Sequence, residues 1–177
     1  MGRALSCFIL STVILLPSFS ASAQYAEDAF VGQKAPELRV GEWINSEPLT
    51  LEELRGRVVL IDFWAFDCSE CAKTMPHLKK MHAKYSDRGL VIIGVHTPRA
   101  TYEKDIEKVR EAVDLKMLEY PVAIDNEYQA WTDYLCVAWP THYVLDQNGI
   151  IQLSHTGIGR YAATEQLIEK LLAEGLN

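Results

Sequence analysis

A run of residues that is apolar but for one carboxylate ends at a pair of cysteines, and few folds accommodate that combination. Residues 58–65 read Val-Val-Leu-Ile-Asp-Phe-Trp-Ala, with Asp62 the only charge among them. A strand of this composition has to be covered on both faces, as a central strand between helical layers is. Cys68-Ser69-Glu70-Cys71 follows at once, and Ala72, Met75, Leu78 and Met81 continue at helical spacing. Two thiols at i and i+3 in a first helical turn lie within disulfide reach. The free N–H groups and positive dipole end of such a turn favour a thiolate on the outer sulfur, that of Cys68. The pattern reads as a dithiol that exchanges electrons.

Spacing alone leaves other readings open. A Cys-x-x-Cys is also half of a zinc site, which needs a second cysteine pair or a histidine pair at finger spacing. The remaining cysteines are Cys7 and Cys136, and His77, His82, His96, His142 and His155 are scattered. The strand-then-helix context ranks a redox dithiol first, a purely structural disulfide second and metal binding last. No metal site is expected.

Residues 1–23 have the make-up of an export signal: Arg3 at the start, an apolar stretch over 5–19 broken by Ser, Thr and Pro17, then Ala21-Ser22-Ala23. Cleavage after Ala23 is the expectation, with an uncleaved membrane anchor as the alternative. One domain over 24–177 remains, long enough for a real core. Removing Arg3, the only charge in the signal, takes the net charge from −7 to −8. An acidic surface argues against nucleic acid and anionic membranes as partners. Export would place the dithiol in a periplasmic or other extracytoplasmic compartment, where an ordinary cysteine pair is closed.

Along the chain, 35–40 and 42–44 flank Gly41 and suggest a small hairpin. Thr50-Leu51-Glu52-Glu53 is a capping box for a one-turn helix. A long helix is predicted from Cys68 to about Ser86, kinked by Pro76, and a second central strand over 89–96. Thr101 caps a predicted helix over 102–113; a short strand over 120–124 and a short helix over 128–135 follow. Residues 141–145 and 150–155 surround Asp146-Gln147-Asn148-Gly149, a strong hairpin turn. A helix over 164–173 closes the chain. The resulting fold class is α/β: a sandwich with a mixed central sheet flanked by helices and an N-terminal hairpin extension.

Several stretches together carry a family likeness: Val31-Gly32-x-x-Ala35-Pro36, Asp62-Phe63-Trp64-Ala65, Cys68-x-x-Cys71, Pro76, Gly94-Val95-His96-Thr97-Pro98, Tyr120-Pro121-Val122-Ala123-Ile124-Asp125-Asn126 and Trp139-Pro140. With them the chain resembles the thioredoxin superfamily, in its exported TlpA/ResA-like branch. It is most similar there to the thioredoxin-like domain of DipZ-type thiol–disulfide transporters. The resemblance implies that Cys68 is the exposed nucleophile, Cys71 the buried resolving thiol and Asp62 the carboxylate beneath them. A resolving thiol must lose its proton inside the protein, and a desolvated carboxylate can take it. The alternative for Asp62 is a strand-end charge that reaches solvent. The resemblance also makes Trp139, Pro140 and Thr141 the substrate-binding loop, with a cis Pro140 that leaves the preceding backbone free to pair with an extended substrate.

The departures from that family are informative. Thr74 stands where the TlpA/ResA branch often has a glutamate, so the proton-handling role falls to Asp62 alone. Asp67 replaces the usual tryptophan before the first cysteine, and Ser69-Glu70 replaces Gly-Pro between the thiols. Asp67 and Glu70 are redox-tuning candidates: negative charge near Cys68 disfavours its thiolate and pushes the couple toward a reductant. The alternative is that both carboxylates point to water and are screened. Peroxiredoxin-type chemistry needs a threonine three residues before the attacking cysteine, and Ala65 stands there. Cys136 reads as a small buried hydrophobe or, less readily, as a third thiol near the dithiol.

The expected function is an exported thiol–disulfide oxidoreductase that reduces protein disulfides through Cys68 and Cys71, with no organic cofactor. Its expected partners are disulfide-bearing exported proteins and, by the resemblance, a membrane electron transporter that recharges it. The alternative is a redox sensor or copper-delivery module, with His96 and His142 the nearest candidate ligands.

Overall fold

The apolar run over 58–65 is the middle of the sheet. In the computed structural model, which describes residues 30–175, the strands are β1 (Trp43–Ile44), β2 (Val58–Trp64), β3 (Leu90–His96), β4 (Val122–Ile124), β5 (Thr141–Leu145) and β6 (Ile151–Thr156). The helices are α1 (Ser69–Tyr85), α2 (Ile106–Leu115), α3 (Gln129–Asp133) and α4 (Tyr161–Glu174). The expected export signal, residues 1–23, lies outside the described residues.

All seven residues of β2 are buried, because strands pair on both of its edges and helices cover both of its faces. The sheet runs β1-β4-β3-β2-β5-β6. β2, β3 and β4 are parallel; β1 pairs antiparallel with β4, β5 with β2, and β6 with β5. The sandwich with a mixed sheet is therefore as the sequence indicates.

Alternation along β2 sorts its side chains into two cores. Val58, Leu60 and Trp64 meet Cys71, Met75, Leu78 and Met81 of α1, Val109 and Val113 of α2, and Ile168 and Leu172 of α4. Val59, Ile61 and Phe63 face Ile93, Val95, Ala130, Tyr134 and Tyr143 on the other side. Each such aliphatic side chain contributes about 1.5–3 kcal/mol by burial. Truncating Leu60 to alanine would cost about 2–5 kcal/mol. Asp62, between Leu60 and Trp64 on β2, shares the face that α1 covers.

The structure departs from the sequence reading in several places. The N-terminal hairpin does not form: only Trp43–Ile44 is a strand, and it pairs with β4. The Gly41 N–H donates to the Ile124 carbonyl at 2.8 Å, so a partner 83 residues away outcompetes the local turn. The helix expected over 102–113 is divided. Thr101–Lys104 is a 3-10 turn, and α2 begins after Asp105, whose side chain accepts from the Glu107 N–H at 3.2 Å. An aspartate offering its own acceptor to the backbone starts a new helix rather than continuing an old one. The Thr50–Glu53 capping box is present, with Thr50 Oγ1 donating to Glu53 at 2.7 Å, but it closes turns and not a regular helix. Pro76 lies on the exposed side of α1, where a forfeited intrahelical bond costs least.

Candidate active site at the start of α1

Cys68 is the N-cap of α1. Its backbone is extended (φ −112°, ψ 109°), and its sulfur accepts from the Cys71 N–H at 3.1 Å. The two cysteines form a disulfide with Cα atoms 5.3 Å apart. Cys68 sits at the rim, 6% exposed, while Cys71 is fully buried. The geometry therefore gives the two sulfurs different roles. The outer one is reachable and faces a helix N-terminus that stabilises its anion; the inner one is sealed in the apolar core.

The loop that delivers Cys68 is fixed by two buried side chains. His96, at the end of β3, is fully buried and accepts the Phe66 N–H on Nε2 at 3.2 Å while its ring stacks on Phe66 at 5.7 Å. Burial pushes the His96 imidazole down to about 4, so it is neutral and able to accept. Glu103, also fully buried, accepts the Asp67 N–H at 3.1 Å and the Ala100 N–H at 3.2 Å, and it bonds the Arg99 N–H as well. Neither Arg99 nor Glu103 stands out in the sequence. Arg99 looks like a loop charge and Glu103 like a surface charge of the predicted helix, until the 3-10 turn places Glu103 inward.

Asp62 is fully buried and stands directly opposite Gly94 on β3 and His142 on β5. His142 Nε2 lies 3.2 Å from Asp62 Oδ1, close enough for an ion pair. It is off the line of a hydrogen bond, so among the described residues neither Asp62 oxygen has a bonded donor in this disulfide form. Tyr120 is held well above the usual phenol range by burial first and by the charge of Asp62 second. Thr74, also buried, donates from Oγ1 to the Cys71 carbonyl at 2.8 Å.

The other predicted residues are placed as follows. A cleft of about 280 Å³ beside Cys68 is lined by Ser69, Glu70, Arg99, Val137, Ala138 and Trp139. The Trp139–Pro140 bond is cis. Trp139 stacks on Trp131 with centroids 4.0 Å apart and borders the cleft, whereas Pro140 and Thr141 are buried behind it. Thr141 Oγ1 donates to the Ala138 carbonyl at 2.7 Å. Both acidic neighbours of Cys68 have partners: Glu70 meets Lys73 at 2.7 Å, and the Asp67 carboxylate accepts from the Tyr102 hydroxyl at 2.5 Å. The Arg99 guanidinium donates to the Asp67 carbonyl at 2.8 Å and adds positive charge to the same cleft. Cys136 lies in the core on the opposite face of the sheet from the dithiol, and burial raises its thiol far above the ordinary range. His96 and His142 are separated by β2, one bonded to Phe66 and the other beside Asp62.

A cysteine pair opening the helix that follows the central strand of a mixed α/β sheet defines a thioredoxin-like thiol–disulfide oxidoreductase. The chain belongs to the AhpC/TSA family, whose model matches residues 31–154. It is similar to Protein DipZ of Mycobacterium tuberculosis, 40% identical over 142 residues, which is 78% of this chain and 20% of DipZ. It thus spans about a fifth of the length of that relative. Thiol-disulfide oxidoreductase ResA of Halalkalibacterium halodurans is 31% identical over 133 residues, covering 74% of this chain and 69% of ResA. Among solved structures, a thiol-disulfide isomerase from Corynebacterium glutamicum superposes with a TM-score of 0.70 at 27% identity, over 78% of this chain and 97% of that one.

Proposed function

We propose that this chain is an exported reductant of protein disulfides. The observation that carries the reading is the asymmetry of the dithiol: Cys68 at the rim with its sulfur on the Cys71 N–H, and Cys71 sealed behind it. In the reduced protein the Cys68 thiolate attacks one sulfur of a substrate disulfide. A Cys68–substrate bond forms, and the other substrate sulfur leaves with the electron pair and takes up a proton. Cys71 then gives its proton to Asp62 and attacks Cys68 Sγ. The Cys68–Cys71 bond forms, the second substrate thiolate departs, and the substrate has gained two electrons.

Asp62 serves as the base because it is a fully buried carboxylate on the face of β2 that α1 covers. Substrate is received in the cleft beside Cys68, with Trp139 as its apolar wall and the buried Pro140 and Thr141 as its support. Export rests on the composition of residues 1–23. A membrane electron carrier as the source of electrons fits the similarity to DipZ. Among the described residues no helix is long and apolar enough to cross a membrane.

Equilibrating the Cys68–Cys71 couple with glutathione tests the direction of flow. A reductant should have a potential below about −200 mV, whereas a value near about −120 mV would mark an oxidant and overturn the reading.

A further inference from the structure

Asp62, His142 and His155 stand side by side on three adjacent strands. His142 is opposite Asp62 in the β2–β5 register and opposite His155 in the β5–β6 register. All three share the face covered by α1 and α4, since Leu60, Val144 and Leu153 at neighbouring same-face positions belong to that core. Asp62 is fully buried, His142 is 7% exposed, and His155 is half-buried on the edge strand. The row therefore leads from the interior to the rim of the sheet.

A narrow space runs beside it, lined by Thr74, His77, His142, His155, Tyr161 and Thr164 among others, with about 20 Å³ of usable volume. That is room for one water; Leu60, Leu78 and Met81 make most of the wall apolar, and the hydroxyls and imidazoles just named are the groups able to hydrogen-bond it. The imidazoles of His142 and His155 are nearly parallel, 14° apart, with centroids separated by 6.3 Å, a gap wide enough for one bridging water. His77, exposed on α1, closes the outer end by stacking on Tyr161 of α4 at 3.7 Å.

We propose that His142 is a positioning residue through which the proton taken from Cys71 leaves the protein, passing from Asp62 to His142 and out past His155. The inference rests on Asp62 acting as the base. A proton delivered to a sealed carboxylate blocks the next turnover until it departs, and a carboxylic acid in an apolar core has no solvent to release it to. Here Asp62 Oδ1 passes its proton to Nε2 of a neutral His142. His142 loses the proton on its Nδ1 to the water in the narrow space, and bulk solvent receives it beyond His155. The Asp62 carboxylate is regenerated with no change in redox state, and His142, left protonated on Nε2, returns that proton to Nδ1 by exchange through the water before the next turnover. The titratable groups facing this path are Asp62 and Tyr120 on the inner side, His155 on β6, His77 on α1 and Tyr161 on α4.

An aromatic disulfide whose two halves are chromophoric thiolates separates the steps. The first equivalent reports attack by Cys68, and the second reports resolution by Cys71. In the full chain, His142→Gln should release the first equivalent at the wild-type rate. It should slow the second at least tenfold near neutral pH, with the deficit closing as alkaline solution ionises Cys71 directly. Asp62→Asn should slow the second equivalent too, and the double variant should be no slower than Asp62→Asn alone. Added imidazole should restore at least threefold to His142→Ala. If Asp62→Asn slows resolution while His142→Gln leaves its rate and pH profile unchanged, the proton route is overturned and the role of Asp62 survives. If Asp62→Asn leaves resolution unchanged, both fall together. Should the His142 variants fail to fold, His155→Gln at the rim of the sheet takes their place: it should slow the second equivalent near neutral pH and leave the first at the wild-type rate, and an unchanged second equivalent overturns the proposal.

Discussion

The indole N–H of Trp139 donates to the Thr97 carbonyl at 3.0 Å, a bond that reaches across the end of β2. Thr97 follows β3 and Trp139 precedes β5, and these strands flank β2 on opposite sides. The loop opposite the dithiol is thereby tied to the strand beyond it, with Trp131 stacked on the indole from below. Trp139→Ala should leave reduction of a small aromatic disulfide within about twofold of wild type. Reduction of a protein disulfide should fall at least fivefold, through KM, because the extended substrate loses its wall. Steady-state kinetics with both substrates checks this, and equal losses on the two would assign Trp139 to holding the fold.

Thiol reactivity should follow burial. In the reduced protein at neutral pH, iodoacetamide should modify Cys68 well before Cys71, and Cys136 only on unfolding. Mass mapping of quenched samples gives the order. Cys71→Ser should then accumulate mixed disulfides through Cys68. Trapping through Cys136 would contradict its placement in the core on the other face of the sheet.

Glu103 should matter for stability and for the loop that carries Cys68. Glu103→Ala leaves the Asp67, Arg99 and Ala100 N–H groups without their acceptor and should cost about 2–4 kcal/mol in urea denaturation. Glu103→Gln keeps one acceptor oxygen and should cost about half as much. A negligible cost for the alanine variant would mean that the loop is held elsewhere.

The buried His96 sets a pH dependence whose sign is fixed. Its folded value of about 4 lies below its ordinary 6.5, so between these limits the unfolded chain binds more protons than the folded one. Its contribution is complete above about pH 6.5 and is lost as pH falls toward 4, amounting to roughly 3 kcal/mol. Asp125, raised mainly by burial, acts in the opposite sense on the acid side. Denaturant titrations of wild type and His96→Gln from pH 4 to 7 isolate the His96 share as the difference between the two curves. A difference that does not narrow toward pH 4 would count against it.

Asp67 and Glu70 flank the nucleophile with negative charge, but Tyr102 and Lys73 hold their carboxylates. Replacing both by amides should make the couple more oxidising by on the order of 10–20 mV per residue, less at high salt. Lys73→Met should shift it the other way by a similar amount. Glutathione equilibration at two salt concentrations reads both shifts.

The dithiol, its helix and the central strand are legible in the sequence because they follow from local patterns: an apolar run, a spacing of three and helical periodicity. Asp62 is visible for the same reason, as the lone charge in that run. What supports it is not, because the pairing of Asp62 with His142 depends on β5 returning antiparallel beside β2. No local signal distinguishes that from β5 lying elsewhere. Glu103 and Arg99 are hidden by resemblance to surface charges, and Asp105 divides the helix expected over 102–113 in a way that composition alone does not announce. The hairpin about Gly41 fails for a related reason: a turn read from neighbours in sequence yields to pairing with Ile124, remote along the chain.

That same pairing has a consequence for how the molecule meets others. The segment leading in from residue 32 bonds along the start of β6, through Gly32 to Ile151 and Ala35 to Gly149, and then crosses to lie along β4 as β1. One stretch of chain thus laces both rims of the sheet and occupies backbone groups that would otherwise invite a foreign strand. Cutting it away should leave the catalytic dithiol in place yet turn the two rims of the sheet into templates for edge-to-edge growth.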